Sequence, residues 1–199
     1  MTNDFLLDDA ALDALFTEAY STTAFDDRPV PDAVLERAVE LMKFGPTWMN
    51  SQPLRIIRIS QQRRAAAIAS MWERNQPKAQ AAPEILLLAA DTNFYEYLTT
   101  QAGLRVQAAQ EQYAKDLSLR TEIALQSANL QAGYLLLALR SAGLGIRPIG
   151  GYDPKQIAAE YLAEGEVPLM VYLVGYPAAE NSHNPRGPRL ETSKVYRED

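Results

Sequence analysis

Apolar positions recur at helical spacing near the start of the chain, where Ala11, Leu12, Leu15 and Phe16 share one face behind Asp8 and Asp9. With Asp8 placed to cap, the spacing predicts a first helix running to about Tyr20. A turn-like stretch from Ser21 to Val30 follows. Pro31 and Asp32 then open a second helix through Val34, Leu35, Ala38, Leu41 and Met42, which Gly45 and Pro46 stop. Next comes an irregular polar loop, Pro46 to Pro53, then a strand over Arg55 to Ile59 and a helix over Gln61 to Trp72.

Glu84 to Ala90 is almost wholly apolar, as a central strand covered on both faces must be, and Asp91 ends it. From Leu104 to Ala142 the one glycine is Gly133. The later half of that stretch (Ile123, Leu125, Leu130, Tyr134, Leu135, Leu137, Ala138) is apolar on more than one face. Such a helix needs cover on several sides, which a subunit interface would supply. Gly143 and Gly145 end it, and Pro148-Ile149-Gly150-Gly151 reads as a tight turn before a helix starting near Pro154. Leu169 to Val174 is the last strand. From Pro177 to Asp199 the chain turns polar and loses periodicity, so it is either without fixed structure or an arm laid on something else. Helices and strands interleave without regular βαβ alternation. The fold class predicted is α+β, a mixed sheet flanked by helices, in one domain spanning the 199 residues.

The formal charge of -6, from 19 basic and 25 acidic residues, disfavours nucleic acid and membrane surfaces as partners. The chain has no cysteine, which removes thiol nucleophiles, disulfides and thiolate metal sites together. Its one histidine, His183, sits in a turn-rich stretch and reads as a solvated loop residue. The acidic start around Phe5 to Leu7 is not a signal peptide, and no apolar run has the length of a membrane span. These features predict a soluble, cytoplasmic protein. Met71 and Trp72 read as core rather than site.

Four polar clusters sit in loops or at element ends. Tyr20-Ser21-Thr22-Thr23-Ala24-Phe25-Asp26 is a hydroxyl-rich turn suited to donate to a phosphate, or simply to cap. Gly45 to Pro53 carries Asn50 and Gln52 beside Trp48 and Met49; amides beside flat and apolar side chains suit a planar heterocycle, although a plain helix-to-strand connection reads the same. Asn75 and Lys78 place an amide and an ammonium just ahead of the apolar strand, where the ordinary fate of a lysine is a solvated loop. Pro148-Ile149-Gly150-Gly151-Tyr152-Asp153 lets backbone amides approach a ligand at its glycines, or makes a helix-to-helix turn. The spacing of Gly143, Gly145 and Gly150 does not match a dinucleotide fingerprint.

Taken in order, from about Leu12 to Leu190, these clusters resemble the nitroreductase family of flavoproteins. Thr47, Trp48, Asn50 and Gln52-Pro53 fall on the family's Pro-Ser-Ser-x-Asn-x-Gln-Pro element, which meets the flavin from the partner subunit. Asn75 and Lys78 match the amide and lysine on the isoalloxazine and ribityl. Pro148, Ile149, Gly150 and Gly151 are similar to the turn whose amide bonds flavin N5, and Arg186 and Arg189 to the basic pair on the FMN phosphate. The resemblance implies a homodimer with the long helix at its interface and the C-terminal arm, about 177–199, packed on the partner. It also implies FMN as cofactor, NADH or NADPH as reductant, and a small acceptor: a nitroaromatic, quinone, enone or small aldehyde. Within the family, Leu41-Met42-Lys43 leading into Gly45-Pro46-Thr47, with Gly151-Tyr152-Asp153, look closest to the malonic semialdehyde reductase branch.

The chain departs from the family at the first turn. Ala19, Tyr20 and Thr23 stand where basic residues are usual, and only Ser21 is retained. A phosphate then lacks one or two charge-assisted contacts, each worth about 1.5–3 kcal/mol, unless Arg186, Arg189 or Arg28 substitutes. The alternative consistent with that departure is a flavin-free or weakly flavin-binding dimeric module on the same fold.

Overall fold

The computed structural model describes residues 7–179 and 186–198, apart from the side chain of Gln101. His183, Phe5 and Leu6 lie outside the described residues.

Asp8 accepts a hydrogen bond from the Ala11 amide at 2.8 Å and opens α1 (Asp9–Leu12). The helix widens directly into a π turn over Asp13–Thr17 and stops short of the predicted Tyr20. The reason is tertiary: Ser21 makes a parallel bridge to Ile146, and Phe25 an antiparallel one to Pro177, so the sheet captures the backbone that would have continued the helix. The second helix, α2 (Asp32–Met42), has the predicted limits. β1 is Leu54–Arg58, one residue earlier than predicted. The helix predicted over Gln61 to Trp72 is α only over α3 (Arg64–Ala69), behind a 3-10 turn at Gln61–Arg63. Its end is again taken by another segment. The Ser70 carbonyl accepts from the Asp153 amide at 2.8 Å, the Trp72 amide donates to the Gly151 carbonyl at 3.0 Å, and Met71 bridges Tyr152.

α4 (Gln76–Ala81) leads into β2 (Glu84–Asp91). After α5 (Leu98–Ala102), the stretch from Leu104 to Ala142 resolves into α6 (Gln107–Lys115) and α7 (Leu117–Ser141) behind a 3-10 turn at Leu104–Val106. Asp116 breaks the last two apart: its backbone is extended and its carboxylate accepts from the Leu119 amide at 2.9 Å, capping the 25-residue α7. Gly143, at φ +75°, turns the chain out of α7 as predicted. Pro148 and Ile149 are not in a turn but form the end of β3 (Gly145–Ile149), and Gly150-Gly151 makes the connection. α8 (Pro154–Tyr161), β4 (Glu166–Gly175) and the short α9 (Thr192–Val195) complete the chain.

The sheet order is β1-β2-β4-β3 and every ladder is antiparallel, where the sequence reading expects a mixed sheet; Ser21 adds an isolated parallel bridge to Ile146 outside the named strands. Side-chain alternation divides the core in two. Leu86 and Leu88 of β2, with Tyr172 and Val174 of β4, face α2 and α7; Ile85 and Leu87, with Val171 and Leu173, face α3, α4 and α8. This is why β2 must be apolar at nearly every position. β1 and β3 form the two edges.

Candidate active site

β3 is the spine of the candidate site. At its start the Thr22 amide donates to the Ile146 carbonyl at 3.1 Å, which fixes the first turn against the strand. Its far end delivers Gly150 and Gly151 roughly 13 Å away, at about 3.3 Å per residue.

Gly151 is held on both sides. Its carbonyl accepts from the Trp72 amide at 3.0 Å and from Asn75 Nδ2 at 3.1 Å, and Asn75 is 7% exposed. A Cβ on Gly151 would stand 2.7 Å from Trp72 Cε3 and 2.8 Å from Asn75 Nδ2, whereas a Cβ on Gly150 would meet nothing within 4 Å. Gly150 therefore presents an open, exposed backbone at a place that Asn75 and Gly151 hold rigid. Lys78 lies one helical turn beyond Asn75 on α4, half-buried. The structure thus joins Asn75 to the glycine pair, with Lys78 on the helix that Asn75 opens. Trp72 was read from the sequence as core; it is 54% exposed, with Arg74 stacked 5.0 Å from its ring, and it walls the glycine turn.

At the other end, Tyr20, Ser21 and Thr23 share a cleft of about 550 Å³ with Arg186 and Arg189. Arg186 Nη2 donates to the Ala19 carbonyl at 3.1 Å and to that of Thr17, and its guanidinium stacks 4.2 Å from the Tyr20 ring. The sequence reading missed two further arginines here, Arg140 and Arg147. The available signals were small: Arg147 is the one charged residue in β3, and Arg140 closes α7 just before its glycine stop. Arg28, considered as a substitute cation, is instead paired with Asp26 at 2.8 Å and stacked 3.9 Å over Tyr176; the Asp26 carboxylate holds its proton above the usual arginine range.

The third group stands apart. Thr47 and Asn50 line a different cleft, with Met49, Ala102 and Arg105. Trp48 is anchored to the helices behind it, its amide donating to Ser127 Oγ at 3.1 Å and its Nε1 to Tyr113 Oη at 2.8 Å. Met49, Asn50 and Gln52 all have positive φ (49°, 57° and 46°), a conformation that costs L residues about 1–2 kcal/mol each. The Gln52 amide donates to Thr47 Oγ1 at 3.2 Å, and Gln52 Nε2 to Asn50 Oδ1 at 3.1 Å. Strain of this kind persists where the surroundings impose it, and it concentrates at ligand sites.

Residues 17–176 match the family model described as the nitroreductase family. The chain belongs to the nitroreductase family. A Streptomyces griseus protein named as a candidate NADH dehydrogenase/NAD(P)H nitroreductase is 38% identical over 191 residues, 96% of each chain. A Leptothrix cholodnii protein of the same name is 37% identical over 189 residues, covering 93% of this chain and 94% of its own. Among solved structures, a candidate nitroreductase from Exiguobacterium sibiricum in complex with FMN superposes with a TM-score of 0.83 at 20% identity, over 100% of both chains. No helix among the described residues is long and apolar enough to cross a membrane, and no cluster of acidic or histidine residues among them could hold a metal ion.

Proposed function

We propose that this nitroreductase-family protein is an FMN-dependent oxidoreductase that takes hydride from NADH or NADPH and passes it to a small acceptor. The observation that carries the reading is β3, which joins an arginine- and hydroxyl-lined cleft to an exposed glycine turn backed by Asn75. That donor set suits FMN: cations and hydroxyls for a phosphate monoester, unobstructed backbone amides for a flat ring, and a lysine near the turn. The names of the close relatives and the FMN-bound neighbour point the same way. Bound FMN supplies hydride exchange between nicotinamide and acceptor, so the chain needs no side-chain nucleophile. Its own tasks are to orient and to stabilise charge. Gly150 and Gly151 offer backbone donors, Lys78 offers positive charge, and the first turn with Arg186 and Arg189 holds the phosphate.

The same reading includes a homodimer. Leu130 and Tyr134, one turn apart on α7, are 52% and 43% exposed, and Phe44 at the end of α2 is 85% exposed, an apolar face facing outward. The strained loop with Thr47, Trp48 and Asn50 then serves the partner's flavin, and the exposed arm 186–198 lies over the partner. Arg105, beside Thr47 and Asn50, suits an acceptor carrying a carboxylate, which favours a small acidic aldehyde such as malonic semialdehyde over a nitroaromatic, quinone or enone. Cytoplasmic operation belongs to the same proposal.

The test is the visible spectrum of the purified protein after incubation with FMN and desalting, before and after anaerobic NADH or NADPH. Retained flavin bands that bleach support the reading. A colourless protein refutes it in favour of a flavin-free module. Turnover of malonic semialdehyde that falls in Arg105→Gln while an uncharged aldehyde is unaffected supports the acidic acceptor; equal loss on both refutes it.

A further inference from the structure

The cleft beside the first turn is far more basic than its surroundings require. The chain as a whole carries -6, yet Arg140, Arg147, Arg186 and Arg189 converge here, and among the described residues none of the four is ion-paired with a carboxylate. Two of them belong to the rigid body of the fold. Arg140 closes α7 and donates through Nη1 to the Leu15 carbonyl at 2.7 Å; Arg147 stands in β3 and donates through Nη1 to the Thr22 carbonyl at 3.0 Å. The Arg147 bond ties its guanidinium to the first turn and the Arg140 bond ties its own to the π turn just before it, neither using up the five donors. Both are half-buried, so their charges are less screened than those of the exposed Arg186 and Arg189. Burial, and then the positive charge of Arg186, loosens the proton on Arg140 relative to an ordinary arginine. Like charges brought together in this way are relieved by an anion.

The same cleft contains Ala19 and Thr23, neither of which brings charge, with Ser21 and Tyr20 as hydroxyl donors. Arg28 is engaged elsewhere, with Asp26 and Tyr176. We infer that Arg140 and Arg147 supply the positive charge for the phosphate monoester of FMN that the first turn lacks, an inference that rests on the FMN reading above. The end of α7 and β3 thereby add fixed positive charge to the hydroxyls of the first turn and to Arg186 and Arg189.

The experiment compares FMN with riboflavin, which lacks the phosphate, by quenching of flavin fluorescence on titration with the full-length protein. Arg147→Gln and Arg140→Gln are each expected to weaken FMN about tenfold to a hundredfold while leaving riboflavin affinity unchanged. Arg28→Gln is expected to change neither. The FMN affinity of the parent protein should also fall with added salt more steeply than that of either variant. Because Arg140 also holds the Leu15 carbonyl, Arg147→Gln alone decides if the Arg140 variant proves unstable. Unchanged FMN affinity in Arg147→Gln, or equal losses for FMN and riboflavin, would overturn the assignment while leaving the flavin reading in place. A parent protein that binds neither flavin refutes that reading and takes the assignment with it.

Discussion

Gly150 and Gly151 are adjacent and chemically identical, yet the structure gives them opposite duties, and alanine at each position separates them. At Gly151 the added Cβ would lie 2.7 and 2.8 Å from two indole carbons of Trp72 and 2.8 Å from Asn75 Nδ2. Carbon atoms pack best at about 3.5–4.0 Å, so the neighbours must retreat by roughly 1 Å. Trp72 is half-exposed and can swing, but its carbonyl holds the Asn75 amide at 2.7 Å, and buried Asn75 holds the Gly151 carbonyl. Relief therefore strains or breaks one of these bonds. Overpacking at about 1–3 kcal/mol plus a hydrogen bond at about 1 kcal/mol gives a loss of about 2–4 kcal/mol. For a chain of this size that is a fall of roughly 5–15 °C in melting temperature. At Gly150 the Cβ meets nothing, so Gly150→Ala should melt within a degree or two of the parent. Its methyl instead faces the open side of the turn and should weaken FMN by at least tenfold. Thermal melts of the two variants, with FMN titrations on each, check both halves. A Gly151→Ala protein that melts like the parent, or a Gly150→Ala protein that binds FMN normally, refutes the reasoning.

Other expectations follow from single contacts. Met49→Gly removes a left-handed L residue at φ 49° and should raise stability by about 0.5–1 kcal/mol, read as a shift in urea midpoint. Gln131, 2% exposed, accepts from the Leu54 amide at 3.0 Å; Gln131→Leu leaves that buried amide without its partner and should cost about 1–3 kcal/mol in the same assay. Burial pushes the Tyr172 phenol up to about 12 from 10.0, and its hydroxyl donates to the Ala132 carbonyl at 3.0 Å. The folded state thus keeps a proton that the unfolded chain releases, so this contribution is complete below pH 10 and is lost as pH rises from 10 through 12, about 2–3 kcal/mol in all. A Tyr172→Phe protein whose stability falls equally steeply over that window would show that this phenol is not the source.

How far the site could be read from the sequence varied with the kind of information each part needed. Asn75, Lys78 and the glycine pair are legible as candidates because local spacing against β2 and the stop of α7 marks them. The first turn is legible as a candidate from its hydroxyls, whereas the Arg186–Arg189 pair enters only through resemblance, since nothing local links residues so far apart in the chain. Arg140 and Arg147 were missed because an arginine closing a helix or interrupting a strand has the same local signature whether it faces solvent or a cleft. Trp72 was assigned to the core because its type and spacing suit a helix face, but the backbone bonds of Gly151 and Asp153 end α3 before that face can form.

The interior follows from local patterns along the chain. The near-continuous apolar run of β2, the cap at Asp8, the proline-marked helix starts at Pro31 and Pro154, and the glycine stop after α7 are local statements of hydrophobic periodicity and backbone preference, which neighbours along the chain suffice to express. Tertiary structure decided where elements end and which charges meet. α1 stops early because Ser21 joins Ile146, α3 because Met71 joins Tyr152, and Pro148-Ile149 is strand because β4 is there to pair with it. The four arginines form one cleft only because α7, β3 and the returning arm converge on the first turn, and contacts between residues more than a hundred positions apart leave no periodic trace in the chain.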